Sequence, residues 1–389
     1  MEKIIMSEMS GAARRIYRSL FTIMLISVTL FGCSKTNKTA VKNTLPDWAL
    51  GPFKRVDNAN PIMKPIDSIM FEDPIRKQPV KWEGKHTFNP AAIVRKDTVY
   101  LLYRAEDFIG KYKGTSRIGL AWSNNGISFK RSNKPVLYPD NDAMKKYEWE
   151  GGTEDPRVVQ DSSGTYYMTY TSYDGKTARL CEATSEDLRH WHKEGPVFEK
   201  ADNGKYLDLW SKSGAIVTRK EGNQLIAAKI NGKYWMYWGD SNIYLATSDN
   251  LINWTPVTDA EGKLKPALHP RNGKFDSDLV ECGPPAMIMN DGILLIYNSK
   301  NAADSGDVKF PVATYAAGQA LFDVNDPGHL LKRTSHTFFY PEKSYEKNGQ
   351  VNNVTFLEGL VPYHNKWYLY YGAADSTICV ATTAMSNEQ

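Results

Sequence analysis

Polar and charged side chains recur in this sequence at one kind of place, directly ahead of an apolar run. Asn89 stands in Phe88-Asn89-Pro90-Ala91-Ala92, Glu154 and Asp155 in Gly152-Thr153-Glu154-Asp155-Pro156-Arg157, and Lys212 in Trp210-Ser211-Lys212-Ser213-Gly214. Glu281 opens Glu281-Cys282-Gly283-Pro284-Pro285, and Glu358 lies in Phe356-Leu357-Glu358-Gly359. If the runs that follow are inner strands around a common axis, several carboxylates and one lysine meet in a single pocket although they are far apart in the chain. Paired carboxylates beside aromatic walls suit glycosidic-bond chemistry, in which one acid protonates the leaving oxygen and a second activates water or attacks the sugar. A single acid at a loop-to-strand junction more often caps a turn or pairs with arginine. The same place being filled in several repeats favours catalysis.

The elements that would position these groups are visible as a repeat. Five aromatic strand cores occur in order: Val99 to Tyr103, Tyr166 to Tyr170, Tyr234 to Trp238, Ile293 to Tyr297 and Trp367 to Tyr371. Each follows a turn signal (Lys96-Asp97, Ser163-Gly164, Asn231-Gly232, Asp291-Gly292, Asn365-Lys366) and precedes a third apolar run containing Ala121, Ala183, Ala246, Ala320 or Ala381. Successive alanines are roughly 60 to 75 residues apart, about one four-stranded sheet with its loops. The expected fold is therefore all-β, a five-bladed β-propeller; a long β-sandwich with shared alternation is the alternative.

Composition fits this reading. Aromatic residues make up 12% of the 389, including 22 tyrosines and 10 tryptophans, enough for contacts between blades and for sugar platforms. The net charge of +4 is spread over interspersed acids and bases, which argues against nucleic-acid binding. Cys181, Cys282 and Cys379 show neither CxxC spacing nor histidines in ligand register, so no metal site, disulfide framework or cofactor is expected. Residues 1–33 read as a targeting segment: Arg14, Arg15 and Arg18, then an apolar stretch from Leu20 to Leu30, then Leu30-Phe31-Gly32-Cys33. This ending resembles a bacterial lipobox, with lipid on Cys33; an ordinary signal peptide is the alternative. The expected organisation is a signal peptide over 1–33, a tether and extension over 34–80, and the catalytic propeller over 81–389. The mature chain would be anchored in the cell envelope, facing the periplasm, rather than spanning the membrane.

The segments Asn89-Pro90-Ala91-Ala92, Tyr103-Arg104-Ala105, Ser116 to Ser123, Gly152 to Arg157 and Ala183 to Leu188 together resemble glycoside hydrolase family 130. Gly283-Pro284-Pro285 and Tyr370 to Asp375 fit as well, so the likeness runs from about residue 80 to 385. The family comprises five-bladed propellers acting on β-mannosides, some as phosphorylases and some as hydrolases. The resemblance implies a manno-oligosaccharide substrate, β-1,2-linked or related, and makes Asp155 the general acid, acting in phosphorylases by way of a sugar hydroxyl. It places Asn89, Arg104 and Asp375 near the bound mannose. Arg157 is either a sugar ligand or a partner holding the acidic strand entry, and Asp375 could simply close a turn.

Departures from the family pattern bear on the branch. Where the phosphorylases carry a His-Arg pair to hold phosphate, this chain has Gly239-Asp240, and Glu281 and Glu358 stand where phosphorylases commonly have uncharged residues. Phosphate binding needs concentrated positive charge and bidentate donors. Lys212 remains as one anion ligand, unless it pairs with an axial carboxylate. Inverting hydrolysis is therefore the expectation, with Glu281 as first choice of base and Asp240 or Glu358 as partner or alternative. Phosphorolysis and non-catalytic glycan binding stay open.

Overall fold

The computed structural model describes residues 45–385; the segment expected to be a signal peptide, Cys33 and the expected tether up to Thr44 lie outside the described residues. Among the described residues helix is confined to the single turns Lys145–Glu148 and Ser344–Lys347 and a 3-10 turn at Ala201–Gly204. No helix there is long and apolar enough to cross a membrane.

The strands fall into five antiparallel groups, and local chemistry accounts for their hairpins. Lys96 and Asp97 have φ of 47° and 55°, His364 and Asn365 of 45° and 59°, and Asn231 and Gly232 of 50° and 82°. Two consecutive positive φ values match the right-handed twist of the flanking strands. The first group holds His86–Arg95, Thr98–Glu106, Ser116–Ser123 and Lys130–Arg131. The second holds Gly152–Gln160, Tyr166–Tyr173, Ala178–Ser185 and His192–Pro196. In the third, Ala215–Glu221 pairs with Lys233–Trp238, followed by Tyr244–Ser248 and Thr255–Pro256. The fourth has an interrupted first strand, Leu279–Cys282 and Ala286–Met289, then Gly292–Lys300, Tyr315–Phe322 and Leu330–Arg333. The fifth comprises Thr355–Tyr363, Lys366–Ala373 and Thr377–Ala384.

The fourth strand of the last group comes from the other end of the chain. Lys54–Arg55 pairs antiparallel with Ala381 and Thr382. The segment read from sequence as an extension over 34–80 is thus woven in from Leu45 onward. Leu50 exchanges two buried 2.8 Å hydrogen bonds with the Gln319 side chain, and buried Arg117 ties the hairpin residue Asp73 (2.6 Å) to Asp107 (2.8 Å).

A polar motif repeats across four of the groups. A buried tyrosine of the second strand donates its hydroxyl to a buried acid, which pairs with a base from the fourth strand. The sets are Tyr103, Glu83 and Arg131; Tyr170, Glu148 and Lys193; Tyr297, Asp276 and Arg333; and Tyr371, Glu346 and Arg55. In the third group Tyr237 donates to the Pro327 carbonyl instead. Each of those four tyrosines sits across from a small residue of the third strand: Gly119, Cys181, Gly318 or Cys379. A methyl added at Gly119 or Gly318 would lie 2.5 or 2.3 Å from the tyrosine ring, and Cys181 and Cys379 are buried thiols in equivalent slots.

Apolar clusters fill the spaces between groups in chain order. One joins the first and second groups (Leu102, Leu120, Val158, Met168), one the second and third (Val159, Leu180, Met236, Trp238), and one the third and fourth (Val217, Leu245, Val280, Leu295). A fourth joins the fourth and fifth (Leu294, Ile296, Leu357, Leu369), and the last returns from the fifth to the first (Val361, Tyr370, Val99, Leu101).

Candidate active site

Of the polar residues expected ahead of the inner strands, Lys212 does precede its strand and Glu281 lies in regular pairing with Asn298, whereas Asn89, Asp155 and Glu358 lie within strands at irregularities in their pairing. Phe88 faces Arg104 and Pro90 faces Tyr103, so Asn89 is an extra residue. Glu154 faces Thr171 and Arg157 faces Thr169, so Asp155 and Pro156 together stand against one partner position. Leu357 faces Tyr371 and Gly359 faces Tyr370, leaving Glu358 extra. Such bulges re-aim a side chain that regular alternation would send elsewhere. Asn89 and Asp155 both take φ of 47°, a region where Asn and Asp are the side chains best tolerated.

Regular alternation would point adjacent Glu154 and Asp155 to opposite faces, and the bulge brings them together instead. Both reach the same guanidinium: Arg104 lies 3.1 Å from Glu154 Oε1 and 3.2 Å from Asp155 Oδ1. Arg104 also donates to Glu106 Oε1 at 2.8 Å and Ser116 Oγ at 3.0 Å, and its head lies 4.8 Å from the Phe88 ring centre. Asn89 Nδ2 donates to Asp155 Oδ1 at 2.9 Å, and Lys212 Nζ stands 3.8 Å from Asp155 Oδ2. Against the cost of burial, Arg104, Lys212 and the Asn89 amide hold Asp155 down at about 2. Glu154 is moved the other way, burial outweighing Arg104 and Lys212.

Glu281 comes from the fourth group, 6% exposed, and accepts a hydrogen bond from Ser213 Oγ. Burial pushes it up to about 7, with Asp240 adding to the rise and Lys212 and Arg157 opposing it. Glu358 is fully buried and rises well above the usual carboxylate range through burial, although Arg157 opposes. Its Oε1 lies 3.1 Å from Arg157 Nη1, but neither oxygen is aligned for a hydrogen bond. Asp375 is likewise raised to about 7 by burial, with Arg104 pulling it back and Asp155 pushing it up. Burial opposes the charge of Lys212, yet Asp155, Glu281, Glu154 and Asp240 together raise it above the usual lysine range.

The candidates differ in what they can still offer a ligand. Arg157, 2% exposed, gives its donors to the carbonyls of Gly283 (2.8 Å), Cys282 (2.6 Å) and Asp155 (3.1 Å), tying the second inner strand to the fourth. Asp240 is half-buried and accepts from the Trp210 indole at 2.8 Å. Three residues of the cluster were not singled out from sequence. Ser213 lay inside a quoted motif, Glu106 only two positions beyond Arg104, and Tyr315, which feels both Glu281 and Asp375, carried no local signal. Among the described residues no group of acids, histidines and cysteines is arranged to hold a metal ion.

A site of this composition can move protons between carboxyl groups and a bound polyol. Residues 53–387 match the family model Glyco_hydro_130, described as β-1,4-mannooligosaccharide phosphorylase. A 1,2-β-oligomannan phosphorylase from Thermoanaerobacter sp. (strain X514) is 34% identical over 79% of this chain and 93% of its own. A β-1,2-mannobiose phosphorylase from the same organism is 33% identical over 77% and 91%. Among solved structures, a glycosyl hydrolase from Bacteroides ovatus superposes with a TM-score of 0.86 at 48% identity, covering 88% of this chain and 96% of that one. Another, reported with the finding that the GH130 family of mannoside phosphorylases contains glycoside hydrolases that target β-1,2 mannosidic linkages in Candida mannan, has a TM-score of 0.86 at 47% identity, covering 89% and 99%. The chain belongs to glycoside hydrolase family 130, whose members act on mannosides.

Proposed function

We propose that this protein hydrolyses β-mannosidic bonds, β-1,2-linked in the first instance, with inversion, in a pocket at the axis of a five-bladed propeller whose blades are the five strand groups. The cyclic order of the apolar clusters, with the last returning to the first, supports the propeller. The N-terminal strand closing the fifth group supports it too.

The observation that carries hydrolysis is the state of the cations. Arg104 is held by Glu106, Glu154 and Asp155, and Arg157 by backbone carbonyls and Glu358. Lys212 has the longest contact of the three, 3.8 Å to Asp155 Oδ2, and it is surrounded by carboxylates. One ammonium in a ring of acids is a poor phosphate site, since phosphate is held by several converging donors. The 47% identity to the structure reported with β-1,2-mannoside hydrolases supports the same branch.

Asp155 supplies the proton to the leaving oxygen, directly or through a sugar hydroxyl. Its low pKa makes it a carboxylate before substrate binds, so it takes up a proton from solvent as the complex forms and sugar hydroxyls draw Arg104 and Lys212 away. Glu281 takes a proton from water as that water attacks the anomeric carbon from the opposite face. Its pKa of about 7 suits a base at neutral pH. Glu358, raised by burial, lies against Arg157 and with it positions the bulge that carries Asp155. Inversion needs the two catalytic carboxyls about 6.5–9.5 Å apart, which residues from different blades can provide.

Phosphorolysis is the second reading, favoured by the names of the curated relatives at 34% and 33% identity. Incubation with β-1,2-mannobiose, with and without millimolar phosphate, decides between them. Hydrolysis gives free mannose at a phosphate-independent rate; mannose 1-phosphate formed only with phosphate establishes the second reading. Lipid anchoring at Cys33 belongs to the same proposal, with Cys33→Ala expected to move the chain from the membrane to the soluble fraction on cell fractionation.

A further inference from the structure

The rim of the candidate site carries an ordered row of aromatic rings that the proton chemistry does not use. Tyr112, 38% exposed, meets Tyr173 with ring centres 5.9 Å apart, and Tyr173 meets Trp210, 49% exposed, edge-on at 6.5 Å. Glycines clear the seats of two of these rings. A methyl at Gly151 would lie 2.3 Å from the Tyr173 ring, and one at Gly175 would overlap the Tyr112 hydroxyl, 1.8 Å away.

The loop bearing Tyr112 is also held in place. Asp107 accepts from the Ile109 and Thr115 amides, and Glu150 accepts from the Lys111 amide. Such a loop does not bury Tyr112 or its neighbours Phe108 (64% exposed) and Ile109 (38%) in a core. Fixed, half-exposed rings give large contact area at low entropic cost on binding.

The row is continuous with the pocket. Tyr173 faces Gly152, three residues before Asp155 and so about 10 Å away along the strand. Trp210 precedes Lys212 by two residues and donates its indole N–H to Asp240, the acid that acts on Glu281. A chain whose end is held at Asp155 would emerge over these rings.

We infer that Tyr112, Tyr173 and Trp210 form a sugar-stacking ledge that binds the residues of a manno-oligosaccharide remote from the scissile bond, making the protein selective for chains longer than a disaccharide. The faces of hexopyranose rings carry C–H groups that pack on aromatic rings, while their hydroxyls remain in water. This inference rests on the proposed mannoside cleavage for its substrate, but the ledge can be read separately.

The test compares wild type with Tyr112→Ala on β-1,2-linked mannobiose, mannotriose and mannotetraose. For wild type, kcat/KM should rise roughly three- to tenfold from the disaccharide to the tetrasaccharide, the size of one aromatic contact, and Tyr112→Ala should flatten that ratio. An unchanged ratio in the variant, or no rise in wild type, overturns the ledge while leaving mannoside cleavage standing. If none of the three is cleaved, the functional reading fails instead. The ledge is then decided by tryptophan fluorescence during mannotetraose titration: a shift lost in Tyr112→Ala supports it, and no shift overturns it.

Discussion

Asp155 and Glu281 hold opposite electrostatic positions, one kept near 2 by Arg104, Lys212 and Asn89, the other raised to about 7 by burial. The difference follows from which strand meets the cations: the second group's bulge puts Asp155 against Arg104, whereas Glu281 has Ser213 and the more distant Lys212. Asp240 contributes to the Glu281 rise, so removing its charge lowers the Glu281 pKa and leaves that base ionised at more acidic pH. Turnover needs one proton on Asp155 and none on Glu281, whereas the free protein holds that proton on Glu281, so kcat/KM falls as pH rises through the Glu281 value, and Asp240→Asn is expected to move this alkaline limb to lower pH by a fraction of a unit to about one unit. An unmoved or alkaline-shifted limb would show that Glu281 is not the group titrating there. Asp155 and Glu358 were legible in the sequence because each sits beside a proline or glycine ahead of an apolar run, and Glu281 because Gly283-Pro284-Pro285 follows it closely. Ser213 was overlooked because a serine has no distinctive chemistry until a buried carboxylate is placed against it.

At the level of elements, the hairpin turns, the aromatic second strands and the order of the groups were readable because each depends on neighbours in the chain. The bulges were not. A bulge is a property of two paired strands, and Glu154 and Asp155 read alone as an alternating pair. The Tyr-acid-base sets were hidden for a related reason, since Arg55 meets Glu346 across 291 residues. Arg55 is 9% exposed in its side chain and Glu346 fully buried, with contacts at 2.6 Å. Arg55→Ala leaves the Glu346 charge without its partner and is expected to destabilise by about 3–5 kcal/mol, the usual cost of breaking a buried pair from one side. Lys81→Ala, which removes an exposed pair with Asp67, should cost about 0–1 kcal/mol. Equal urea midpoints for Arg55→Ala and wild type would mean that the N-terminal strand does not close the last sheet in solution.

Across the whole molecule, burial of acids sets how stability depends on pH. Glu148, Glu281 and Asp375 are each raised to about 7, and Glu182 and Glu358 are raised well above the usual carboxylate range, in every case chiefly through burial. Where such a group is protonated in the fold but ionised in the unfolded chain, the fold binds more protons, and stability falls as pH rises. The contribution is complete below the ordinary values of 3.8 to 4.5 and is lost as pH passes through about 7. Asp155 works the other way, its stabilisation lost as pH falls from 3.8 toward about 2. The melting temperature is therefore expected to peak near pH 4 to 5 and to decline by pH 8, and a curve that rises from pH 5 to 8 would contradict the burial argument. Glu182 isolates the effect away from the active site. It is fully buried between the second and third groups, and neither carboxyl oxygen finds a hydrogen bond, the nearby Trp254 indole being given to the Leu251 carbonyl. Glu182→Gln keeps the shape and removes the titration, so it should raise the melting temperature at pH 8 and leave it nearly unchanged at pH 4.5.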